Sequence, residues 1–328
     1  MKKILGIGNA LVDVLTILND DKILEKFSLP KGSMQLVDKK KSELIKSETK
    51  YLRRTLVSGG SNANTIHGLA MLGVDAGFIG SIGLDETGDF YERDMKDAGV
   101  NTMLFRKESV TGTAVVLITP DSERTFAVHL GAAAELDAKD LKPALFSGHD
   151  ILYVEGYLIN NLSLIETACV MAKEQNMIIA LDLSSYNVVE ANLTGFKKIV
   201  EGYVDIIFAN EEEAKAYTGL IPREALNLLS ETNEVVVIKV GADGSWLKRG
   251  EEIVKISSLT VSCNDTTGAG DLYASGFLYG IANGLDLEKC GTIGSLMAGK
   301  VIEIIGARME EARFKEIKKT IKTIIESD

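Results

Sequence analysis

The amino-acid sequence predicts an α/β protein. Its core is a mostly parallel sheet with helices on both faces, accompanied by a small separate β-sheet. Two observations carry this. Short apolar, β-branched runs alternate with longer stretches of helical spacing, the pattern of a parallel sheet covered on both sides. Three short runs, Lys31–Asp38, Thr113–Thr119 and Val128–Leu130, break that rhythm, because no helix follows them. A second small sheet beside an α/β core commonly serves as a lid over a site.

The elements follow in order. Ile4–Ile7 reads as a buried strand, Asn62–Leu72 as a helix stopped by Gly73, and Ala76–Ile82 as a strand. Thr87–Ala98 is an amphipathic helix stopped by Gly99. Asp150–Glu155 and Met177–Asp182 are buried strands with a helix, Leu162–Glu174, between them. Val204–Ala209 and Val235–Val240 are further strand-like runs. Leu272–Ala282 and Ile293–Ile304 are apolar on nearly every side and read as buried helices. The charge run Asp38–Lys50 reads as a solvated helix face. The small sheet is expected from about residues 11–40 and 101–130.

Composition narrows the class. The 328 residues are 45% apolar and 25% charged, an ordinary globular mixture long enough for a large core. The 36 basic and 47 acidic residues give a net charge of −11, which argues against a general nucleic-acid or anionic-membrane binder. It does not exclude an anionic small molecule in a locally positive pocket. Cys169, Cys263 and Cys290 form no C-x-x-C pair, and the histidines are only His67, His129 and His149, so a zinc site is not expected. An odd cysteine count fits a reducing compartment. The opening apolar run, broken by Asn9 and Asp13, is too short for a signal peptide, and no run is long enough to span a membrane. A cytoplasmic protein is expected.

The chemistry concentrates in Asp265-Thr266-Thr267-Gly268-Ala269-Gly270-Asp271, directly before an apolar helix. The N–H groups of Gly268, Ala269, Gly270 and Asp271 would lie unpaired at the helix start, where amides and dipole together bind anions. Such preorganised donors are each worth roughly 3–4 kcal/mol toward a developing oxyanion. Asp271 would repel a bound anion, but it makes sense as a base taking the proton of a hydroxyl that attacks phosphorus. Spacing alone also allows Asp271 as a helix cap and the glycines as a tight turn.

These residues, with Leu272-Tyr273-Ala274-Ser275-Gly276-Phe277, resemble the C-terminal signature of the ribokinase-like (PfkB) carbohydrate and nucleoside kinases. Gly59-Gly60-Ser61-Asn62-Ala63-Asn64, continuing to Gly73 and Gly83, resembles the N-terminal signature. Asn210-Glu211-Glu212-Glu213 resembles the N-x-x-E motif, and Val240-Gly241-Ala242-Asp243-Gly244 the nucleotide-base loop. The four motifs span nearly the whole chain in the family's order, which implies one ribokinase-like domain over residues 1–328 with a discontinuous lid. The resemblance implies Asp271 as catalytic base and Gly268, Ala269 and Gly270 as the anion hole. It places ATP against Asn210, Thr266, Val240, Gly241 and Gly244, and Mg²⁺ near Asn210 and Glu213 through water. On its own, Glu213 reads as a first-turn helix carboxylate. Arg124 could close over the phosphates with the lid or stand solvated. Lys239, in an apolar run, could neutralise nearby carboxylates. A monovalent cation such as K⁺ near Asp265 is a further family implication.

Asn9 and Asp13 follow the first strand, where open α/β sheets bind ligands, although both residue types also suit a turn. By resemblance Asp13 accepts hydrogen bonds from two vicinal hydroxyls, with Gly60 and Asn64 beside it. Gly8-Asn9-Ala10-Leu11-Val12-Asp13, Met34-Gln35-Leu36, Glu155-Gly156-Tyr157 and Leu181-Asp182-Leu183-Ser184 are most similar to the adenosine-kinase-like branch. There Gln35 and Tyr157 would contact a purine; alternatively Gln35 is a surface residue and Tyr157 a packed core aromatic. Asp182 stands where adenosine kinases carry asparagine, and Thr267 also departs from their pattern. The acceptor thus stays open between a nucleoside, with adenosine first, and a sugar of the ribose, fructose or 2-keto-3-deoxygluconate type. The oligomeric state stays open between monomer and homodimer. A non-catalytic binder of the same fold is disfavoured by Asp271. A dinucleotide-binding fingerprint fails at Leu11, and no P-loop motif occurs.

Overall fold

The computed structural model describes residues 1–121 and 123–327. Ser122, in the expected Pro120–Glu123 turn, lies outside the described residues. The strands are β1 (Ile4–Ile7), β2 (Leu11–Ile17), β3 (Met34–Leu36), β4 (Arg54–Gly59), β5 (Ala76–Gly83), β6 (Asn101–Lys107) and β7 (Gly112–Ile118). They continue as β8 (Arg124–His129), β9 (Ile151–Glu155), β10 (Ile178–Asp182), β11 (Ile206–Asn210), β12 (Val235–Lys239), β13 (Ser245–Arg249) and β14 (Glu252–Ile256). Nine form one sheet in the order β14-β13-β12-β11-β10-β9-β1-β5-β6. It is parallel from β6 to β12 and antiparallel at β13 and β14.

The unbroken apolar character of the inner strands follows from burial on both faces. In β1, Leu5 and Ile7 join one core cluster while Ile4 joins the other, so successive side chains feed opposite layers. Strand β1 pairs with β5 on one side and β9 on the other, so the strand order reverses there. The crevice at the carboxyl ends of β1 and β9 is the place where such sheets bind ligands.

The second sheet has the order β3-β8-β7-β2-β4. Its composition corrects the expected boundaries twice. Arg54–Gly59, outside the expected ranges, adds an edge by pairing antiparallel with β2. Asn101–Lys107, expected in the small sheet, pairs parallel with β5 and closes the edge of the large one. A helix of about a dozen residues, Glu86–Asp97, joins β5 to β6, so this pair is an ordinary parallel crossover that the weak apolar pattern of β6 concealed. The charge-rich helix Lys39–Glu48 is capped by Asp38, which accepts from the Lys41 N–H at 2.7 Å. Its Ile45 is buried with Val115, Leu117 and Ala127 of the small sheet, so one face of the helix packs while the rest is solvated.

Two buried helices frame the site. Ala269–Ala282 starts three residues before the expected Leu272, because Gly268 turns the chain with φ 76°. Leu287–Val301 is displaced toward the N-terminus from the expected Ile293–Ile304, since Asp286 caps it by accepting from the Lys289 N–H. Their close packing needs glycine: a methyl on Gly276 would come within 2.5 Å of the Ile293 carbonyl. None of the described helices is long and apolar enough to cross a membrane.

Candidate active site

The turn Thr266–Asp271 divides two cavities. The smaller, about 340 Å³, is lined by Asn9, Asp13, Gly60, Asn64, Glu155, Tyr157, Thr267 and Asp271, with a wall from the small sheet. The larger, about 580 Å³, is lined by Lys239, Gly241, Gly244, Thr266, Ala269 and Gly270, among others. Residues 210 positions apart in the chain therefore meet at one turn.

Asp271 sits in the first turn of the helix Ala269–Ala282. Its Oδ1 accepts from Ser61 Oγ at 2.7 Å and its Oδ2 from Asn64 Nδ2 at 2.9 Å. Thr65 Oγ1 donates to the Asp271 carbonyl at 3.0 Å. The helix Ser61–Leu72 thus fixes the carboxylate by two side chains and the backbone behind it by a third. Loss of water pushes the Asp271 carboxyl up to about 6; the bonds from Ser61 and Asn64 oppose this, and Asp182 adds to it. A base poised near neutrality suits proton abstraction.

Gly60 precedes that helix with φ 98°, and a methyl there would collide with the Asn9 carbonyl. Only glycine lets the small-sheet strand β4 turn into the helix against Asn9. Asp13 lies opposite, and its carboxyl is raised to about 7 by desolvation, against the pull of the Arg308 charge. Glu155, at the end of β9, accepts from the Asn9 N–H at 2.9 Å, from Asn9 Nδ2 and from the Asn62 N–H at 3.0 Å. Burial raises it to about 7, opposed by those same bonds. Glu155 therefore orients Asn9 and the helix start together. Sequence reasoning did not single out Ser61 and Glu155 as site residues. The signals were a hydroxyl directly after Gly59-Gly60 and one carboxylate closing the apolar run Ile151–Glu155.

Tyr157 lines the smaller cavity, and its hydroxyl donates to the Ser184 carbonyl at 3.2 Å, which fixes the ring. Gln35 does not join it. Strand alternation turns Met34 and Leu36 to the cavity, and Gln35 Nε2 bonds Ser33 Oγ at 3.2 Å. Arg124, at the start of β8, is directed at the Asp265–Asp271 stretch and pairs with Asp265 Oδ1. Its Nε and Nη2 are buried with no protein partner, so donors remain for an anion. Asp265 also accepts from the Thr267 and Gly306 N–H groups. A fixed guanidinium already neutralises this carboxylate, so the residues present do not fit a monovalent cation beside it.

Asn210 and Glu213 form a reciprocal cap at the start of the helix Glu211–Thr218. Glu213 Oε2 accepts from the Asn210 N–H and Oε1 from Asn210 Nδ2, both at 2.8 Å. With both oxygens engaged, Glu213 suits contact with a hydrated cation better than direct ligation. The described residues hold no cluster of three or more His, Cys, Asp or Glu side chains arranged for a metal. Val240 follows β12 at the head of the turn that carries Gly241 and Gly244 to the larger cavity.

A carboxylate and a row of helix-start amides, held between two cavities, provide for moving an anionic group from one ligand to another. The model of the pfkB family carbohydrate kinases matches residues 33–312. The chain belongs to that family. It is 28% identical to a nucleoside kinase of Methanocaldococcus jannaschii over 311 residues, covering 94% of this chain and 93% of that one. It is 29% identical to an uncharacterized sugar kinase of Archaeoglobus fulgidus over 247 residues, covering 74% and 96%. The crystal structure of adenosine kinase from Sinorhizobium meliloti superposes with a TM-score of 0.89 at 32% identity, covering 97% of this chain and 99% of that one. The protein is thus an ATP-dependent carbohydrate or nucleoside kinase with the ribokinase-like fold.

Proposed function

We propose that this kinase transfers the γ-phosphoryl group of ATP to the primary hydroxyl of a nucleoside, adenosine first. The observation that carries the acceptor is the two-ended character of the smaller cavity. One end offers Asn9, Asp13, Gly60 and Asn64, acceptors and donors suited to a ribose diol. The other is an apolar wall of Leu11, Met34, Leu36, Phe126 and Val128 facing the Tyr157 side of the cavity. A plain sugar leaves that wall wet, whereas a base covers it. None of the described residues lining this cavity is cationic, while Asp13, Glu155 and Asp271 line it, which disfavours a sugar acid.

The reaction then proceeds from the chain's own groups. Acceptor binds at Asp13, Gly60 and Asn64, and ATP lies across the larger cavity with its base near Val240–Gly244. Asp271 takes the hydroxyl proton as the oxygen–phosphorus bond forms and the bond to the β-phosphate oxygen breaks, releasing ADP. The amides of Gly268, Ala269 and Gly270 stabilise the developing charge, and the spare donors of Arg124 are available to phosphate. Asn210 and Glu213 would hold the water shell of a Mg²⁺ ion bound with ATP, which would supply neutralisation of phosphate charge. The small sheet acts as a discontinuous lid on one α/β domain and excludes water. The three cysteines Cys169, Cys263 and Cys290 are unpaired, in keeping with a cytoplasmic enzyme.

A coupled assay for ADP release with adenosine, inosine, cytidine, ribose, fructose and 2-keto-3-deoxygluconate tests the reading. Adenosine is expected to give the highest kcat/KM. Turnover of a plain sugar with none of adenosine would overturn the nucleoside assignment.

A further inference from the structure

Lys239 closes β12 and carries the one cationic side chain among the described residues that line either cavity. Its Nζ lies 2.9 Å from Asp182 Oδ2, and its side chain is only 15% exposed. Asp182, at the end of β10, is itself fixed, because its Oδ1 accepts from the Ser184 N–H at 2.9 Å. A methyl group on Gly270 would stand 3.3 Å from the Lys239 ammonium. The amine therefore sits directly beside an anion-hole amide, on the nucleotide side of the turn that carries Asp271. Burial works against its charge, but Asp182, Glu213 and Asp271 outweigh that and hold the ammonium above its ordinary range.

The surroundings need one. Asp182 and Glu213 are buried here and Asp271 acts on the ammonium from across the turn, yet the ligand expected in the larger cavity is a polyphosphate. A lysine amine, unlike backbone amides, brings a full charge and three donors, of which Asp182 uses one. The pairing also accounts for the aspartate at 182: a carboxamide there would leave the ammonium without its counter-charge.

We infer that Lys239 is a phosphate-binding residue whose ammonium, aimed by Asp182, donates to the γ-phosphoryl group as it crosses the Gly268–Gly270 turn. This rests on ATP occupying the larger cavity and not on the identity of the acceptor. The test is accordingly made without acceptor. ATP and ADP affinities of the full chain are measured by calorimetry for wild type, Lys239→Gln, and the paired Lys239→Met with Asp182→Asn. The paired variant removes the Lys239 and Asp182 charges together, and the glutamine retains a donor to Asp182, so both are chosen to keep the fold, as a thermal melt verifies. Both variants are expected to lose about ten- to a hundredfold in affinity for ATP, the range of a hydrogen bond to a charged group. ADP affinity should change less than about threefold, because the contact is to the γ-phosphoryl group. Equal losses for ATP and ADP, or no loss for either, in a folded variant would overturn the inference. Failure of wild type to bind ATP would instead overturn the reading of the larger cavity.

Discussion

Ser61 Oγ donates to Asp271 Oδ1 at 2.7 Å, tying the start of one helix to the first turn of another across 210 residues of chain. With Asn64 on the other oxygen at 2.9 Å, each carboxylate oxygen keeps a lone pair for an incoming hydroxyl. The carboxylate is thus oriented by two side chains, and rotation away from the turn would break both bonds.

Asp271→Asn should abolish turnover while preserving the site. The amide still bonds Ser61 and Asn64 but cannot accept a proton. The expected loss in kcat is about 10²–10⁴-fold, the usual contribution of general-base catalysis, with adenosine binding by calorimetry nearly unchanged. Undiminished turnover would remove Asp271 from the chemistry.

Activity and stability should respond to acid in opposite directions. Asp271 must be ionised to act, so kcat should fall about tenfold per pH unit below its value of about 6. Asp13 and Glu155, raised to about 7, and Asp271 hold protons more tightly folded than unfolded. Their contribution to stability is therefore complete below the unfolded values of 3.8 to 4.5 and is lost as pH rises through 6 to 7. Melting curves should move to higher temperature between pH 8 and pH 5.5, in the range where turnover declines. A parallel fall of both would contradict this.

Tyr157→Ala should separate base recognition from sugar recognition. The ring is fixed by its bond to the Ser184 carbonyl and lines the cavity beneath the apolar wall. Removing one aromatic face from a base costs about 1–3 kcal/mol elsewhere, so adenosine affinity should drop about ten- to a hundredfold. Ribose affinity, measured in parallel, should stay near wild type.

Gly60→Ala should damage acceptor binding more than folding. The residue has φ 98°, and a methyl would press on the Asn9 carbonyl. Strain of about 1–3 kcal/mol is expected, relieved by a shift of Asn9. The kinetic signature is a raised acceptor KM with an unchanged KM for ATP.

Arg308→Met should loosen the attachment of the small sheet. Arg308 Nε donates to the Ser58 carbonyl at 2.7 Å and Nη2 to Ser58 Oγ at 2.8 Å, just before the Gly59-Gly60 turn. Leaving that carbonyl unpaired costs about 1–3 kcal/mol, a fall of about 2–4 °C in Tm for each kcal/mol in a chain of this size. An unchanged Tm would show that water replaces the guanidinium.

The alternation of buried strands and helices was legible because the inner strands of the large sheet, β1, β5 and β9 to β12, are apolar on both faces, and glycines or capping aspartates mark where helices stop or start. The Gly268–Asp271 stretch stood out for a similar local reason, since a glycine turn and a first-turn carboxylate lie within one stretch of backbone. Strand β6 and strand β4 were not, because their residues are partly exposed and their partners lie on other segments. Gln35 shows the limit most plainly. Its residue type suits a base edge, but a three-residue strand has two faces, and pairing with β8 left Met34 and Leu36, rather than Gln35, lining the cavity.

The sequence by itself determined the fold class and the family, since these rest on local periodicity and short contiguous motifs. Only the tertiary structure decided which side chains share the site. It brought Glu155 to Asn9, Lys239 to Asp182 and Arg124 to Asp265, pairs separated by 146, 57 and 141 positions. Such pairings depend on the order of strands in the sheet and the face each side chain takes, which no single stretch of sequence encodes.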